Sequence, residues 1–200
     1  MSPRDPAPTR AAIVSAAGAL LESGGLEAVT LRSVGAEAGV SRSAAYRHFA
    51  DKAELLRALA ARTLTELAVR IRLESERASR RARLHRGCAA YLSHAFEQPH
   101  HYQLIFGDTP ITQPDQELES AADDAMLALR ELAERAQADG ELGAGPPREI
   151  ATVLWVLLHG LAQLQITGHL HEPRTIDGSS GLDELLTLAL DALRPTPGSR

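Results

Sequence analysis

A short run of cationic and hydrogen-bonding side chains, RSAAYRH at residues 42–48, has the most distinct chemical character in this sequence. It supplies two guanidinium groups, a hydroxyl, a phenol and an imidazole, on Arg42, Arg47, Ser43, Tyr46 and His48. The planar fork of a guanidinium can bind the edge of a guanine or a phosphate. The phenol and the imidazole suit phosphate oxygens, while the hydroxyl and the methyl group of Ala44 could reach base edges. These side chains therefore suit contacts with nucleic acid.

Two short helices joined by a glycine turn are predicted to position this run. Thr30 can cap the first helix, because its hydroxyl can accept a hydrogen bond from a free amide of the first turn. Gly39 can end that helix, since glycine adopts positive φ without steric cost. Ser41 can then cap the second helix, which is predicted to run over about residues 42–48.

The second helix is predicted to have an inner and an outer side. Ala45 and Phe49 would point inward, whereas Ala44 would lie on the outer edge with the polar side chains. Asp51 with Glu54 resembles the capping box of a third helix. A helix, a tight turn and a small polar helix form a helix-turn-helix whose second helix suits the major groove. The alternative for the turn alone is an ordinary helical hairpin on a solvated surface.

The stretch GVSRSAAYRHFADKAELL, residues 39–56, resembles the DNA-binding signature of the tetracycline-repressor (TetR) family of transcriptional regulators. In that family a glycine, an aliphatic residue, a short polar helix, a tyrosine, an aromatic residue, a turn and a lysine follow in this order and spacing. The resemblance covers about residues 9–60 and favours DNA binding over an ordinary hairpin. It implies a two-fold dimer whose recognition helices enter successive major grooves, about 34–36 Å apart, on a near-palindromic operator.

The resemblance and the side-chain chemistry together define a set of predicted DNA-binding residues. They are Thr30, Arg32, Ser41, Arg42, Ser43, Ala44, Tyr46, Arg47, His48 and Lys52. The resemblance implies that Lys52 contacts a backbone phosphate and that Thr30 and Arg32 lie where the family contacts the backbone or an outer base. It also implies a repressor released by a small molecule, since repression is the usual mode of the family.

Charge is distributed unevenly along the 200 residues, whose net charge is -5. Residues 1–86 hold 15 Lys plus Arg and 9 Asp plus Glu, whereas residues 87–200 hold 6 and 17. This asymmetry fits a DNA-facing half joined to a half with another role. Seven arginines between Arg70 and Arg86 fall all round a helix rather than along one stripe, which predicts a solvated linker region there.

The periodicity of the sequence predicts an all-α protein of about nine helices, because no segment alternates with a period of two over a useful length. Residues 1–52 are predicted to form the helix-turn-helix DNA-binding domain, with three helices enclosing its core. Residues 53–200 are predicted to form a helical regulatory, ligand-binding and dimerisation domain. The polar, proline-containing start does not resemble a signal peptide, so the predicted location is the cytoplasm.

The segment LWVLLHGLAQLQITG, residues 154–168, is similar to the Trp-His-Gly type of TetR-family ligand-binding domain. This similarity implies a pocket for a small organic ligand, and such pockets are mainly apolar with a few polar groups. The predicted ligand-binding residues are Tyr91, His94, Phe96, Tyr102, Phe106, Met126, Trp155, His159 and Gln163. The alternative for each of these side chains by itself is a place in the packed core.

Two C-terminal helices, at about residues 149–170 and 182–193, are predicted to form a homodimer interface. The first is apolar nearly all round, so several of its sides must be covered. Together they could form half of a four-helix bundle, and Gly160 would permit close backbone approach; the alternative is that one chain covers both helices. The first helix is long enough to span a membrane, but its polar residues favour burial in protein, so no membrane is predicted.

Three other functions are alternatives to transcriptional regulation. A metal site would use one of two histidine groups: His94 with His100 and His101, or His169 with His171. Neither spacing matches a strong ligand signature, so no metal and no cofactor are predicted. An enzyme could pair the carboxylates of Asp123 and Asp124, but adjacent helical residues diverge by about 100° and both are most simply solvated, so no enzyme is predicted. The third rival is a protein-interaction module whose helix-turn-helix is only scaffold.

Overall fold

A computed structural model describes residues 6–107, 111, 113–170 and 181–194. Within this part of the chain there are nine α-helices, one 3-10 helix at Arg80–Ala82 and no strand, which confirms the predicted all-α fold. The helices are α1 (Pro6–Ala28), α2 (Leu31–Glu37), α3 (Arg42–His48), α4 (Lys52–Arg77), α5 (Arg83–Glu97), α6 (Pro99–Phe106), α7 (Gln116–Ala138), α8 (Pro147–Ile166) and α9 (Leu182–Asp191).

The helix-turn-helix consists of α2 and α3, as predicted. The hydroxyl of Thr30 accepts a hydrogen bond from the amide of Ser33 at 3.0 Å, and the hydroxyl of Ser33 accepts one from the amide of Thr30 at 3.0 Å. This reciprocal pair satisfies the first turn of α2. Gly39 follows α2 with a φ of +65°, in the left-handed region that favours glycine. The hydroxyl of Ser41 then accepts from the amide of Ala44 at 3.2 Å and starts α3.

The start of α4 is held by the predicted acidic cap. The carboxylate of Asp51 accepts a hydrogen bond from the amide of Glu54 at 2.8 Å. The carboxylate of Glu54 reaches back to the amide of Ala50 at 2.6 Å, one residue before the cap. Both free amides are therefore satisfied by negative charge at the positive end of the helix dipole.

The internal contacts of the chain group it into two compact units. Unit 1 combines residues 1–63 with 98–121, and unit 2 combines residues 64–97 with 122–200. Both α4 and α7 run from one unit into the other, since their residues fall on either side of these boundaries. The division into a DNA-binding part and a regulatory part at residue 52 concerns function, and it stays a prediction.

Unit 1 has a fully buried core to which α1, α2, α3 and α4 all contribute side chains. In unit 1, α1 packs against α2 and α6, and α2 packs against α3. The most deeply buried side chains include Ile13, Ala17, Val29, Val34, Ala45, Phe49, Leu55 and Leu59. Because Ala45 and Phe49 lie in this core, the inner side of α3 is fixed while its other side faces solvent, as predicted.

Unit 2 is built around α5, which packs against α8 and α9. Its core includes Tyr91, Leu129 and Leu132, each at most 2% exposed. Gly87 of α5 lies close to α7, because a Cβ atom there would lie 2.6 Å from the side chain of Leu132. A larger residue at this position would require the Leu132 side chain to shift.

One face of α8 is buried and the opposite face is open. The buried face carries Ala151, Leu154, Leu158 and Ala162. The open face carries an apolar stripe, Val153, Val156 and Leu164, whose side chains are 51%, 60% and 46% exposed. The described part of one chain therefore leaves this apolar face of α8 exposed to solvent. By length and composition α8 could also cross a membrane, but one such helix is weak evidence, because core helices of soluble proteins pass the same test.

The predicted solvated linker is confirmed only for the short connection at residues 78–82, where Arg80 and Arg81 are exposed. Most of the run is helical, since α4 continues to Arg77 and α5 begins at Arg83. Among the described residues six of the seven arginines make ion pairs: Arg70 with Glu97, Arg72 with Asp124 and Glu131, Arg77 and Arg86 with Glu74, and Arg80 and Arg83 with Asp139. Most of these carboxylates lie far along the sequence, so a count of local charge could not find them.

This pairing changes what the charge asymmetry means. Residues 1–63 hold 8 Lys plus Arg and 6 Asp plus Glu, so most of the positive excess of residues 1–86 lies in residues 64–86. There the arginines are largely balanced by carboxylates of unit 2. The predicted DNA binding would therefore depend on the positions of the cations on α3 and not on the charge of the whole N-terminal half.

Two of these ion pairs predict how stability depends on pH. Hydrogen bonds from Arg72 lower the pKa of Asp124, and hydrogen bonds from Arg70 lower the pKa of Glu97. Their contribution to stability is therefore present above the ordinary pKa values of 3.8 and 4.5, and it is lost as the pH falls through the lowered values. We expect the free energy of unfolding to fall less steeply between about pH 6 and about pH 3 in an Arg70→Gln, Arg72→Gln variant.

Urea unfolding at a series of pH values would measure this slope. Arg81→Gln is the matched control, because Arg81 is exposed and makes no ion pair among the described residues. If the double variant kept the slope of the wild type, the two pairs would not control acid stability.

Candidate functional site

The outer surface of α3 carries the predicted donors in exposed positions. Arg42, Ser43, Tyr46 and Arg47 are all exposed, and the Tyr46 side chain is 47% exposed despite its size. The guanidinium carbon of Arg42 lies 5.5 Å from the centre of the Tyr46 ring, within the range of a cation–π contact. Neither Arg42 nor Arg47 makes an ion pair in the described part of the chain. Their guanidinium groups therefore meet solvent before any ligand binds.

Two of the predicted DNA-binding residues are less accessible than the sequence suggested. Ala44 is only 9% exposed, so the prediction that it lies on the outer edge is wrong. Adjacent helical residues differ by about 100°, and a buried face wider than that takes in Ala44 together with Ala45. His48, in the last turn of α3, is half-buried and not fully outward.

The hydroxyl groups of Thr30 and Ser41 are used inside the helix-turn-helix. Both accept backbone amides as N-caps, and the Ser41 hydroxyl also lies 3.1 Å from that of Ser43. Both residues are exposed, so a phosphate could still approach them. Arg32, in the first turn of α2, is exposed and makes no ion pair with a described residue. The caps fix the two helices, and Arg32 is a further exposed cation on α2.

The ammonium group of Lys52 is already engaged within the chain. It donates a hydrogen bond to the backbone carbonyl of Leu26 at 2.7 Å, and the side chain is half-buried. Leu26 lies in the last turn of α1, after a kink at Gly25, and a cation is favourable at that end of a helix. Lys52 thus ties the start of α4 to the end of α1, and an ammonium has further donors for a phosphate.

Lys52→Met is expected to lower the free energy of unfolding by about 1 kcal/mol, because it removes a charge-assisted hydrogen bond. The Leu26 carbonyl would keep only the longer bond from the amide of Val29, at 3.3 Å. Urea unfolding measures the change, and Arg32→Met is the control that removes an exposed cation. Equal stability of the Lys52 variant and the wild type would contradict the structural role.

Arg10 is a residue near α3 that the sequence did not reveal. Its guanidinium carbon lies 5.3 Å from the centre of the Phe49 ring, and Phe49 is the C-cap of α3. The same group binds both carboxylate oxygens of Glu117, at 3.3 and 2.7 Å. Arg10 and Glu117 are 107 positions apart in the sequence, so no local pattern could connect them.

The nine predicted ligand-binding residues belong to both compact units. In unit 1, Tyr102 and Phe106 of α6 lie with their ring centres 4.8 Å apart. The residues of unit 2 are Tyr91, His94, Phe96, Met126, Trp155, His159 and Gln163. Tyr91, His94 and Tyr102 are buried, and the other six are half-buried. Whether they bind a ligand stays a prediction.

Two features of unit 2 could take part in binding a small molecule. On α8, Trp155, His159 and Gln163 follow one another at intervals of four residues, with the rings of the first two 6.1 Å apart. Burial lowers the pKa of His159, and the buried Oε1 of Gln163 has no hydrogen-bond partner among the described residues. Separately, an open groove of about 480 Å³ between α7 and α8 is lined by Asp123, Met126, Leu127, Arg130, Arg148, Ala151 and Thr152. Of the nine predicted residues only Met126 lines this groove.

The side chains weighed for other chemistry have ordinary structural surroundings. Within the described residues no three His, Cys, Asp or Glu side chains are arranged to hold a metal ion, and His171 lies outside those residues. Asp124 is bound by Arg72, which corrects the expectation that it is solvated, whereas Asp123 is exposed. Burial raises the pKa of Cys88 to about 12, so its thiol is protonated and inert at neutral pH.

Two family models match the chain. Residues 13–59 match the model of bacterial regulatory proteins of the tetR family, and residues 84–193 match the model of the tetracyclin repressor-like C-terminal domain. The first includes α2 and α3, and the second includes α5 to α9. No curated protein matches the sequence.

Solved structures with the same fold cover nearly the whole chain. A protein of unknown function from Rhodococcus sp. RHA1 is 29% identical with a TM-score of 0.77, covering 92% of this chain and 93% of that one. A TetR-family transcriptional regulator from Pectobacterium atrosepticum is 21% identical with a TM-score of 0.74, covering 98% and 100%. A putative TetR-family regulator from Mesorhizobium loti is 18% identical with a TM-score of 0.70, covering 96% and 97%.

The family match agrees with the local structure. The capped α2, the glycine turn and the exposed cations of α3 lie within the segment that matches the regulatory family. The match to the C-terminal domain spans more than half of the sequence. The chain belongs to the TetR family of bacterial transcription regulators.

Proposed function

We propose that this protein is a dimeric transcriptional repressor that a small organic ligand releases from a near-palindromic operator. Residues 1–52 would bind the operator, and residues 53–200 would bind the ligand and the partner chain. The observation that carries the proposal is the row of exposed donors on α3, Arg42, Tyr46 and Arg47, on a helix whose inner side is buried. Membership in a family of regulators favours binding over catalysis and a cytoplasmic location.

The DNA-binding part of the proposal rests on rigidity as well as charge. Caps at Thr30 and Ser41 fix both helices, and the buried Phe49 fixes the end of α3. Neither arginine makes an ion pair with a described residue, so binding DNA would break no ion pair seen in that part of the chain. Arginine forks can read guanine edges, and Tyr46 suits phosphate.

The dimer part of the proposal rests on the open face of α8. Val153, Val156 and Leu164 form an exposed apolar stripe, and Leu188 of α9 is 54% exposed. A two-fold axis would place the same stripe of a second chain against it, which removes apolar surface from water on both sides. Gly160 lies in the same register and has open space around its Cα, so it permits close approach.

The ligand part of the proposal rests on coupled equilibria. A ligand that binds better to a dimer geometry unsuited to the operator shifts the population toward that geometry. A difference of about 1–3 kcal/mol is typical of such coupling. The buried Oε1 of Gln163 would accept a hydrogen bond from such a ligand, beside the half-buried rings of Trp155 and His159. Both α4 and α7 belong to both units, so either helix could transmit the change.

The experiment that tests the proposal starts with a duplex selected by the purified protein from a random pool. Fluorescence anisotropy at two salt concentrations, against a scrambled duplex, should show specific and salt-dependent binding. A palindromic consensus would support a two-fold dimer. If no sequence were enriched, or if the selected and the scrambled duplex were bound equally, the helix-turn-helix would be scaffold only, as in a protein-interaction module.

A further inference from the structure

Two ion pairs attach the start of α7 to helices α1 and α4, all within unit 1. The guanidinium of Arg10 on α1 binds Glu117 in a bidentate pair, at 3.3 and 2.7 Å. The Nε of Arg57 on α4 binds the carboxylate of Asp115 at 3.2 Å. Asp115 also accepts the amide of Leu118 at 3.0 Å, so it caps α7 as well. The first turn of α7 is therefore held by two separate helices of the unit that contains the recognition helix.

Arg10 connects this turn to the recognition helix. Its guanidinium lies over the ring of Phe49, 5.3 Å from the ring centre, while it holds Glu117. Phe49 is the C-cap of α3 and is only 1% exposed, so a shift of its ring would move the end of α3. A planar guanidinium can contact a ring face and a carboxylate at the same time, which an ammonium group does less well.

We propose that Arg10 is a positioning residue for the recognition helix α3 and that Glu117 fixes the orientation of the Arg10 guanidinium. This inference rests on the proposed function, because it concerns how well α3 fits an operator. The Arg10 side chain is 40% exposed and that of Glu117 51% exposed, so the pair contributes little to overall stability. Its effect is on geometry: the guanidinium is oriented by the carboxylate, and Phe49 packs beneath it.

The contacts from Glu117 to Arg10 and from Arg10 to Phe49 connect α7 to the end of α3. Residues 116–121 of α7 belong to unit 1, and the helix continues to Ala138 in unit 2. In unit 2 it carries Met126, one of the residues that line the groove. A ligand that displaced α7 would therefore pull on Glu117 and, through Arg10, on the end of α3.

Electrostatics alone predicts the opposite effect of Glu117→Gln on DNA binding, so this variant distinguishes the two explanations. Removing a negative charge near a DNA-binding surface should tighten binding to any duplex. If Glu117 positions Arg10, its loss should weaken binding to the selected duplex. Glu119 is the matched control, because it lies two residues along the same helix, is exposed and makes no ion pair among the described residues.

The experiment compares Glu117→Gln, Glu119→Gln and Arg10→Gln with the wild type on the selected and the scrambled duplex. We expect Glu117→Gln and Arg10→Gln each to weaken binding to the selected duplex by about two- to fivefold. Glu119→Gln should bind as tightly as the wild type or more tightly. Binding of Glu117→Gln to the scrambled duplex should not weaken, and its thermal midpoint should match that of Glu119→Gln.

The double variant Arg10→Gln, Glu117→Gln completes the cycle. If the two residues act as one unit, the double variant should bind no more weakly than either single variant. Equal binding by Glu117→Gln and Glu119→Gln, or fully additive losses, would overturn the inference while the proposed function stood. A wild-type protein that selects no duplex would instead refute the proposed function itself.

Discussion

Replacing Arg42 and Arg47 together by alanine is expected to lower affinity for the selected operator by about 100-fold or more. A good bidentate contact between arginine and guanine contributes about 1–3 kcal/mol of discrimination, and two such contacts are lost. Both side chains are exposed and make no ion pair in the described chain, so their removal should leave the fold intact. Fluorescence anisotropy on the selected and scrambled duplexes measures the loss, and urea unfolding checks stability.

The control for this variant removes two arginines elsewhere. Arg77 and Arg81 are both exposed and lie outside the helix-turn-helix, so an Arg77→Ala, Arg81→Ala variant has the same change in net charge. It should bind the selected duplex nearly as well as the wild type. If both double variants lost affinity equally, net charge would control binding and α3 would not be the recognition helix.

Replacing Val153 and Val156 by glutamate is expected to convert the protein to monomers. Because a two-fold interface uses the same surface of both chains, each substitution would appear twice and bury four unpaired charges. Sedimentation should then give the 21.4 kDa of one chain, where the wild type should give twice that mass. Operator affinity should fall when the dimer is lost, since one recognition helix reads only a half-site.

A substitution on another side of α8 is the matched control. Gln165 is exposed on the same helix, away from the apolar stripe, and Gln165→Glu adds a charge with little change of shape. It should leave the mass and the operator affinity unchanged. If the Val153→Glu, Val156→Glu variant kept the mass of the wild type, the open face of α8 would not be the dimer interface.

The helix-turn-helix could be predicted from the sequence because its determinants are local. The caps at Thr30 and Ser41, the positive φ of Gly39 and the inward position of Phe49 all involve residues within twenty positions of one another. Each follows from the conformational preferences of a single residue type. The local pattern does not show how wide the buried face of α3 is, so the prediction that Ala44 lies on the outer edge was wrong.

The contacts that the sequence did not reveal join residues far apart in the chain. Arg72 was predicted as part of a solvated basic run, but it pairs with Asp124 and Glu131 of α7. Lys52 was predicted only from the resemblance, as a phosphate contact, and nothing in the sequence indicated its bond to the Leu26 carbonyl. Such pairings depend on how helices pack, and a count of charge along the sequence contains no information about packing. The ligand-binding residues are harder to predict from the sequence, because a pocket is defined by the space between helices.

The arginines that pair within unit 2 have a consequence for how the protein is distributed in a cell. A guanidinium that already holds a carboxylate releases few counterions when it meets an arbitrary duplex, and the net charge of -5 further weakens such encounters. A genome offers millions of competing sites, so weak attraction to bulk DNA leaves more molecules free to find one operator. We expect that a small number of copies would suffice to occupy it.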